Sequence, residues 1–101
     1  MFVRLVTCKF LPERIVEARK VFMNEIIPTL QKQNGLIDVR FLEPTEKKGN
    51  FISITEWKTK ENIEAYEKAG LYQKLVKKLE PFFMGQPELT TYTTEEVFEH
   101  V

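Results

Sequence analysis

Residues 51–57 read Phe-Ile-Ser-Ile-Thr-Glu-Trp, and this stretch decides the fold. Side chains alternate across a strand. The alternation predicts two faces, one with Phe51, Ser53, Thr55 and Trp57 and the other with Ile52, Ile54 and Glu56. Both faces carry bulky groups, so both need cover. One layer of helices covers one face only, and we expect a second copy of the chain to cover the other.

The segments around this strand follow the order strand, helix, strand, strand, helix, strand. β-Branched and aromatic residues predict four strands, at residues 2–10, 36–43, 50–57 and 89–94. Apolar residues at helical spacing predict one helix that starts at Pro12 and stops at Asn34-Gly35, and another that runs from about Lys60 to Pro81 with a break at Gly70. This order predicts an α+β fold of the split βαβ type (β-α-β-β-α-β) with an antiparallel four-stranded sheet, in a single domain over residues 1–101.

Pro28 interrupts the first predicted helix. Its ring clashes with the carbonyl group four residues earlier and it has no N–H group, so we expect a bend near Asn24. Two interpretations stay open: the bend shapes one end of a cavity, or it is tolerated and has no role.

Charge and composition exclude several classes of protein. The chain has 15 basic and 15 acidic residues and no long block of Lys or Arg, so a nucleic acid partner is not expected. No signal sequence and no apolar run of about 20 residues is present, which predicts no membrane association and a cytoplasmic location. Cys8 is the sole cysteine and His100 the sole histidine, so neither a disulfide nor a metal site is expected. The tail at 95–101 is ambiguous, since Thr93 and Glu96 form a weak capping box.

Short motifs along nearly the whole chain resemble the antibiotic biosynthesis monooxygenase (ABM) family. They are Phe10-Leu-Pro12, Ile27-Pro-Thr-Leu30, Asn34-Gly-Leu36, Thr55-Glu-Trp57, Ala65-Tyr66, Leu71-Tyr-Gln-Lys-Leu75 and Tyr92. The resemblance implies a ferredoxin-like topology in which two sheets pack into a dimeric α+β barrel with the helices outside. It also implies a small apolar cavity in each subunit, between the sheet and the helices.

The resemblance implies the site residues as well. Family members that oxidise polycyclic phenols without a cofactor carry an asparagine on the second helix, an aromatic residue four positions on, and a tyrosine six further, which here are Asn62, Tyr66 and Tyr72. The family has tryptophan at the middle position, so Tyr66 is a departure. The expected catalytic residues are Asn62, which holds the substrate oxygen, and Tyr72, which donates to the oxygenated intermediate. Tyr66, Trp57 and Phe22 are the expected substrate-binding residues, stacking against the ring. Alternatively, the tyrosines are ordinary core residues and Asn62 supports the helix start.

The haem-degrading branch of the same superfamily is the second comparison. Its asparagine, tryptophan and iron-binding histidine correspond to Val6, Tyr66 and Val76, and valine cannot bind iron. We therefore expect no haem, flavin or metal cofactor.

These observations predict a cofactor-independent monooxygenase, an oxidoreductase that acts on a small aromatic phenol or quinol. The alternatives are a non-catalytic small-ligand-binding or structural dimer of the same fold, or an isomerase-like member. A cavity of roughly a few hundred cubic ångströms would favour a ligand, and a filled one would favour the inert alternative.

Overall fold

The computed structural model describes residues 1–94. Its strands are β1 (Phe2–Cys8), β2 (Leu36–Leu42), β3 (Phe51–Trp57) and β4 (Glu88–Thr93). Its α-helices are α1 (Ile15–Val21), α2 (Ile27–Gln31), α3 (Lys60–Lys68) and α4 (Leu71–Leu79). The ambiguous tail at 95–101, together with His100, lies outside the described residues.

The strands form one sheet in the order β2-β3-β1-β4, and each neighbouring pair is antiparallel. The first helical segment connects β1 to β2, and α3 with α4 connects β3 to β4. The predicted α+β fold with a ferredoxin-like, antiparallel four-stranded sheet is therefore confirmed. Each strand begins and ends within two residues of its predicted bounds.

The first helical segment changes its backbone geometry along its length. A 3-10 turn at Pro12–Arg14 precedes α1, and a π-helical turn at Phe22–Ile26 separates α1 from α2. Pro28 cannot donate to the backbone, and the Thr29 Oγ1 hydroxyl donates to the Glu25 carbonyl oxygen at 2.7 Å. Asn24, where the sequence predicts a bend, lies within the π-helical turn.

The second helical segment has a clear start and a clear break. The Thr59 side chain accepts a hydrogen bond from the Asn62 N–H at 3.1 Å and caps α3. Gly70, at φ 73°, adopts a left-handed conformation that favours glycine, and it separates α3 from α4. The break predicted at Gly70 is confirmed.

The core lies between the helices and one side of the sheet, called here the inner face. As the alternation predicts, Phe51, Thr55 and Trp57 of β3 are buried on this face. Arg4 and Cys8 of β1 are buried on it as well. The opposite side, the outer face, includes Ile54 of β3 and its neighbours on adjacent strands.

The outer face has an apolar centre and is only partly covered. Its centre pairs Leu5 with Ile54, and both side chains are of intermediate exposure. At its margins Leu42 is 43% exposed and Tyr92 is 50% exposed. Arg40 lies opposite Ile54 on this face and forms an exposed ion pair with Asp38. The helices pack on the inner face, so this partly apolar surface is left towards solvent in the single chain.

Within residues 1–94, no helix combines the length and the apolar character that a membrane span requires.

Candidate functional site

A cavity of about 60 Å³ lies between the inner face of the sheet and the helices. Its polar lining residues, called here the polar wall, are Arg4, Cys8, Ser53, Thr55, Tyr66 and Tyr72. Apolar side chains supply the rest of its lining, among them Phe22 and Ile26 of the π-helical turn. The cavity is therefore mostly apolar, with polar groups contributed by the sheet and by α3 and α4.

The cavity is smaller than the few hundred cubic ångströms that would favour a ligand. Benzene fits an apolar cavity of about 150 Å³, more than twice the 60 Å³ found here. The cavity is not filled either. An aromatic ring would enter only if lining side chains moved.

Arg4 is the charged residue of the polar wall. It is 3% exposed, and on the sheet it lies opposite Thr55 of β3. Its guanidinium carbon lies 5.0 Å from the centroid of the Tyr72 ring and 6.0 Å from that of Tyr66. These distances are within the range of cation–π attraction. Arg4 therefore packs against both tyrosines of the candidate site.

The contact of Arg4 with a carboxylate is longer than a hydrogen bond. Its Nη2 atom lies 3.6 Å from Glu67 Oε2, and the Glu67 side chain is 48% exposed. Its Nη1 atom is buried and has no hydrogen-bond partner among the described residues. Part of the donor capacity of this guanidinium is unused.

Burial controls the ionisation of the two tyrosines. Loss of hydration raises the pKa of Tyr66, and the Arg4 charge acts in the opposite direction with a smaller effect. The pKa of Tyr72 is also raised by burial, again against the attraction of Arg4. Both side chains are thus neutral phenols near pH 7, able to donate an O–H hydrogen bond but unable to act as bases.

Cys8 is a free and buried thiol. Burial raises its pKa to about 11, so the thiol is neutral at physiological pH. Only a thiolate acts as a nucleophile or binds a metal. Cys8 therefore contributes a weakly polar surface to the cavity.

The structure brings three of the five predicted site residues to the cavity, Phe22, Tyr66 and Tyr72. Trp57 lies behind the lining. Its Nε1 atom donates to Thr55 Oγ1 at 2.9 Å, and its ring centroid is 5.0 Å from that of Tyr66. Trp57 thus holds two residues of the polar wall in place without lining the cavity.

Asn62 lies at the start of α3 and is not part of the cavity lining. Its Oδ1 atom accepts from the Thr59 hydroxyl at 2.6 Å, and its backbone N–H donates to the same hydroxyl. Its amide packs directly against Gly35, where a Cβ atom would collide with it. These contacts correspond to the alternative in which Asn62 supports the helix start, and its catalytic role stays a prediction.

The positions of the haem-degrading branch do converge on this cavity. Val6, Tyr66 and Val76 all line it. The two valines have no atom that could bind iron or donate to a ligand. Elsewhere in residues 1–94, no cluster of three or more His, Cys, Asp or Glu side chains could hold a metal ion.

Four residues of the polar wall, Arg4, Cys8, Ser53 and Thr55, were not among the predicted site residues, and Arg4 is the charged one of the four. A signal was present, because Arg4 shares the inner face with Phe2, Val6 and Cys8 in a mostly apolar strand. A charged residue at such a position is unusual and deserves a functional explanation.

Comparison with solved structures identifies the fold. A Deinococcus radiodurans protein named for antibiotic biosynthesis monooxygenases has a TM-score of 0.82 and 14% identity, covering 100% of this chain and 99% of its own. A conserved protein from Methanosarcina mazei Go1 has a TM-score of 0.77 and 19% identity, covering 94% of each chain. A Streptomyces coelicolor monooxygenase in complex with nanaomycin D has a TM-score of 0.70 and 14% identity, covering 99% and 92%. Identities this low show a shared fold only.

No curated protein sequence matches the chain. The family model described as antibiotic biosynthesis monooxygenase, however, matches residues 1–78. That range includes β1 to β3, both tyrosines of the polar wall and nearly all of α4. With this match, the chain belongs to the antibiotic biosynthesis monooxygenase family.

Proposed function

We propose that this protein is a cofactor-independent monooxygenase that acts on a small aromatic phenol or quinol in the described cavity. Membership of the family supports a monooxygenase-type function. One observation carries the finer proposal: Phe22, Tyr66 and Tyr72 line one apolar cavity, and burial raises the pKa of both phenol groups further above neutral pH, so both stay proton donors. Such a site supplies a ring-binding surface and hydrogen-bond donors shielded from water.

The proposed reaction needs no electron donor other than the substrate. A phenol with hydrogen on the para carbon reacts with one O₂ to give a para-quinone and one water. The phenol first gives its O–H proton to solvent water, because no base is present in the described lining of the cavity, and it binds as the phenolate. The phenolate then passes an electron pair to O₂ as a C–O bond forms at the para carbon. Protonation of the distal oxygen gives a substrate hydroperoxide. The para carbon then loses its proton, the O–O bond breaks, and the departing hydroxide takes up a proton to leave as water.

Tyr72 is the proposed donor to the peroxide oxygen, since it is partly buried, neutral and part of the polar wall. Solvent returns its proton. Tyr66 and Phe22 hold the aromatic ring, and a fixed position lowers the entropic part of the barrier. Asn62 can hold the substrate oxygen only if its amide leaves the Thr59 hydroxyl.

Ring entry requires the cavity to widen, and the π-helical turn is the proposed place. Phe22 and Ile26 both belong to this turn and line the cavity. Turns of this kind interrupt the regular α-helical hydrogen bonds and are frequent at functional sites. A shift of the Phe22 ring, which stacks on Phe41 with centroids 4.1 Å apart, would admit a single ring.

Oxygen uptake with a panel of single-ring phenols that carry hydrogen on the para carbon tests the proposal. We expect Tyr72→Phe to lower the rate about 100-fold or more, because a positioned proton donor is lost. Tyr92→Phe is the matched control, since Tyr92 is on the outer face, and it should keep the parent rate. Asn62→Ala shows whether the amide takes part.

Equal rates in the parent and Tyr72→Phe would remove Tyr72 from the mechanism. No uptake by the parent with any member of the panel would end the monooxygenase proposal.

The small cavity favours a second candidate, a non-catalytic small-ligand-binding or structural protein of the same fold. An isomerase-like member is the related alternative, in which the same donors assist proton transfer without O₂. A ligand that raises the melting temperature but is recovered unchanged would favour binding alone. A ligand recovered as an isomer, with no oxygen consumed, would favour the isomerase.

We also propose that the protein is a homodimer joined through the outer face. The apolar surface centred on Leu5 and Ile54 supports this, because the helices of the same chain lie on the other side of the sheet. The barrel that the family resemblance implies places a second sheet there.

A further inference from the structure

A buried guanidinium with an unused donor needs an explanation. Nearly all buried polar groups in proteins have a hydrogen-bond partner, and a buried charge without one is costly. Arg4 is 3% exposed and its Nη1 atom has no partner among the described residues. Glu67 is too far from Nη2, at 3.6 Å, for a normal hydrogen bond.

The tyrosine contacts do not use this donor capacity. Cation–π attraction acts on the face of the guanidinium carbon, whereas the N–H groups point outwards in the guanidinium plane. Arg14 provides a comparison within the same chain, because its guanidinium carbon lies 4.9 Å from the Phe82 ring centroid. Arg14 also donates two hydrogen bonds to Glu17, at 2.9 and 3.1 Å. Arg4 has the aromatic contacts, but no carboxylate in the described part of the chain lies close enough to accept hydrogen bonds from its guanidinium N–H groups.

The surroundings of Arg4 favour an anion. Within residues 1–94, no Asp, Glu, Lys or His lines the cavity, so Arg4 is the one formal charge of the described lining. Tyr66 and Tyr72 beside it are neutral donors. Electrostatic attraction is stronger in an apolar cavity than in water. An incoming oxyanion would meet one cation and two O–H donors, and it would compete only with the half-exposed Glu67 carboxylate, which is too far from Nη2, at 3.6 Å, for a normal hydrogen bond.

We propose that Arg4 is the anion-binding residue of the cavity, and that its ligand carries one compact oxyanion, a carboxylate or a phenolate oxygen, on a small flat body. The guanidinium fork matches such a group with two parallel N–H donors. For the proposed monooxygenase, on which this part rests, Arg4 holds the substrate as the phenolate. The phenolate is the form that can reduce O₂, so the same contact binds the substrate and prepares it.

Two pairs of probes test for the anion. Benzoate and benzamide differ in charge but hardly in shape. Acetate and acetamide form a smaller pair, for the case in which the cavity does not widen. Binding can be followed by the fluorescence of Trp57, which packs against Tyr66. We expect the parent to bind at least one anion about tenfold or more tighter than its amide. Arg4→Met should abolish this preference, Arg4→Lys should keep part of it, and Arg14→Met, the matched control, should leave it unchanged.

A third probe, 4-nitrophenol, distinguishes the phenolate from the carboxylate. Its phenolate absorbs at longer wavelength than the phenol, so absorbance reports its ionisation in the bound state. A neighbouring cation favours the charged form. We therefore expect the pKa of 4-nitrophenol to fall when it binds to the parent, and not when it binds to Arg4→Met. If the parent prefers benzoate or acetate but does not lower the pKa of bound 4-nitrophenol, the site binds carboxylates and not phenolates. That result still supports Arg4 as the anion-binding residue.

The melting temperature separates binding from a structural role. Replacing a buried, poorly paired charge with an apolar residue of similar length commonly keeps or raises stability. We therefore expect Arg4→Met to fold with an unchanged or higher melting temperature. If Arg4→Met fails to fold, Arg4→Lys carries the comparison. Equal preference for anion and amide in the parent, or a preference that survives Arg4→Met, would overturn the inference.

The two proposals can fail separately. Loss of the anion preference in Arg4→Met, in a protein that consumes no oxygen, supports the anion site and contradicts the monooxygenase. Oxygen uptake with the same kcat/KM in parent and Arg4→Met contradicts the role of Arg4 and leaves the monooxygenase in place.

Discussion

The two faces of β3 have similar apolar content but different surroundings. On the inner face Phe51 and Trp57 are buried under the helices, and on the outer face Ile52 and Ile54 are only partly covered. The inner face also carries the polar wall of the cavity, including Thr55. Apolar character alone therefore does not tell which face forms the core of the chain. What differs is the second layer, which the helices supply on one side and, we propose, a second subunit supplies on the other.

The largest effect is expected on the outer face. Ile54→Lys places a second cation at the centre of the proposed interface, directly opposite Arg40 of β2, and burying an unpaired charge is strongly unfavourable. We expect the mass in solution to fall from that of a dimer to that of a single chain, as measured by sedimentation equilibrium. Ile54→Val keeps the apolar surface and should remain dimeric. A parent protein that is monomeric on dilution, with this face open to solvent, would contradict the proposed dimer.

On the inner face, Trp57→Ala is expected to destabilise the chain itself. Trp57 is 0% exposed and packs on Tyr66, and replacing a buried tryptophan by alanine typically costs about 3–5 kcal/mol. Chemical denaturation gives the free energy of unfolding. Tyr92→Ala is the control, because it removes a large aromatic side chain from the outer face. In the dissociated protein it should lower the free energy of unfolding much less. Similar losses for both residues would show that the two faces are equally buried.

Cys8 gives a smaller, pH-dependent effect on the inner face. Burial raises its pKa from 9.0 to about 11, so the folded state keeps the proton more tightly than the unfolded state. The resulting stability is fully present below pH 9 and is lost as the pH rises towards about 11. A shift of about two units corresponds to at most about 3 kcal/mol. The free energy of unfolding of the parent should fall more steeply across this range than that of Cys8→Ala, and parallel curves would contradict the burial of the thiol.

Much of the fold could be predicted because its signals are local. Alternation in β3, the left-handed Gly70 and the missing N–H of Pro28 each act within a few residues. Packing of the helices on the sheet is not local. The sequence marks Arg4 as an unusual charge in an apolar strand, but β1 carries apolar residues on both faces, so the sequence alone did not decide which face is the inner one.

The candidate site could be predicted only in part for the same reason. Helical spacing and the family resemblance pointed to Tyr66 and Tyr72, and both line the cavity, while their roles stay predictions. They did not show that Thr59 engages the Asn62 amide, or that Trp57 lies one layer behind the lining. Those positions depend on contacts between separate segments.

Gly35 has a consequence for variation among related chains. It adopts φ 82°, its carbonyl accepts from the Lys58 N–H at 2.8 Å, and the Asn62 amide occupies the space where its side chain would be. Asn62 is one helical turn from Tyr66, so a larger residue at position 35 would displace the start of α3 and, with it, the ring at the cavity. Homologues with a side chain at position 35 should therefore carry a smaller residue at position 62, and the two positions should change together in evolution.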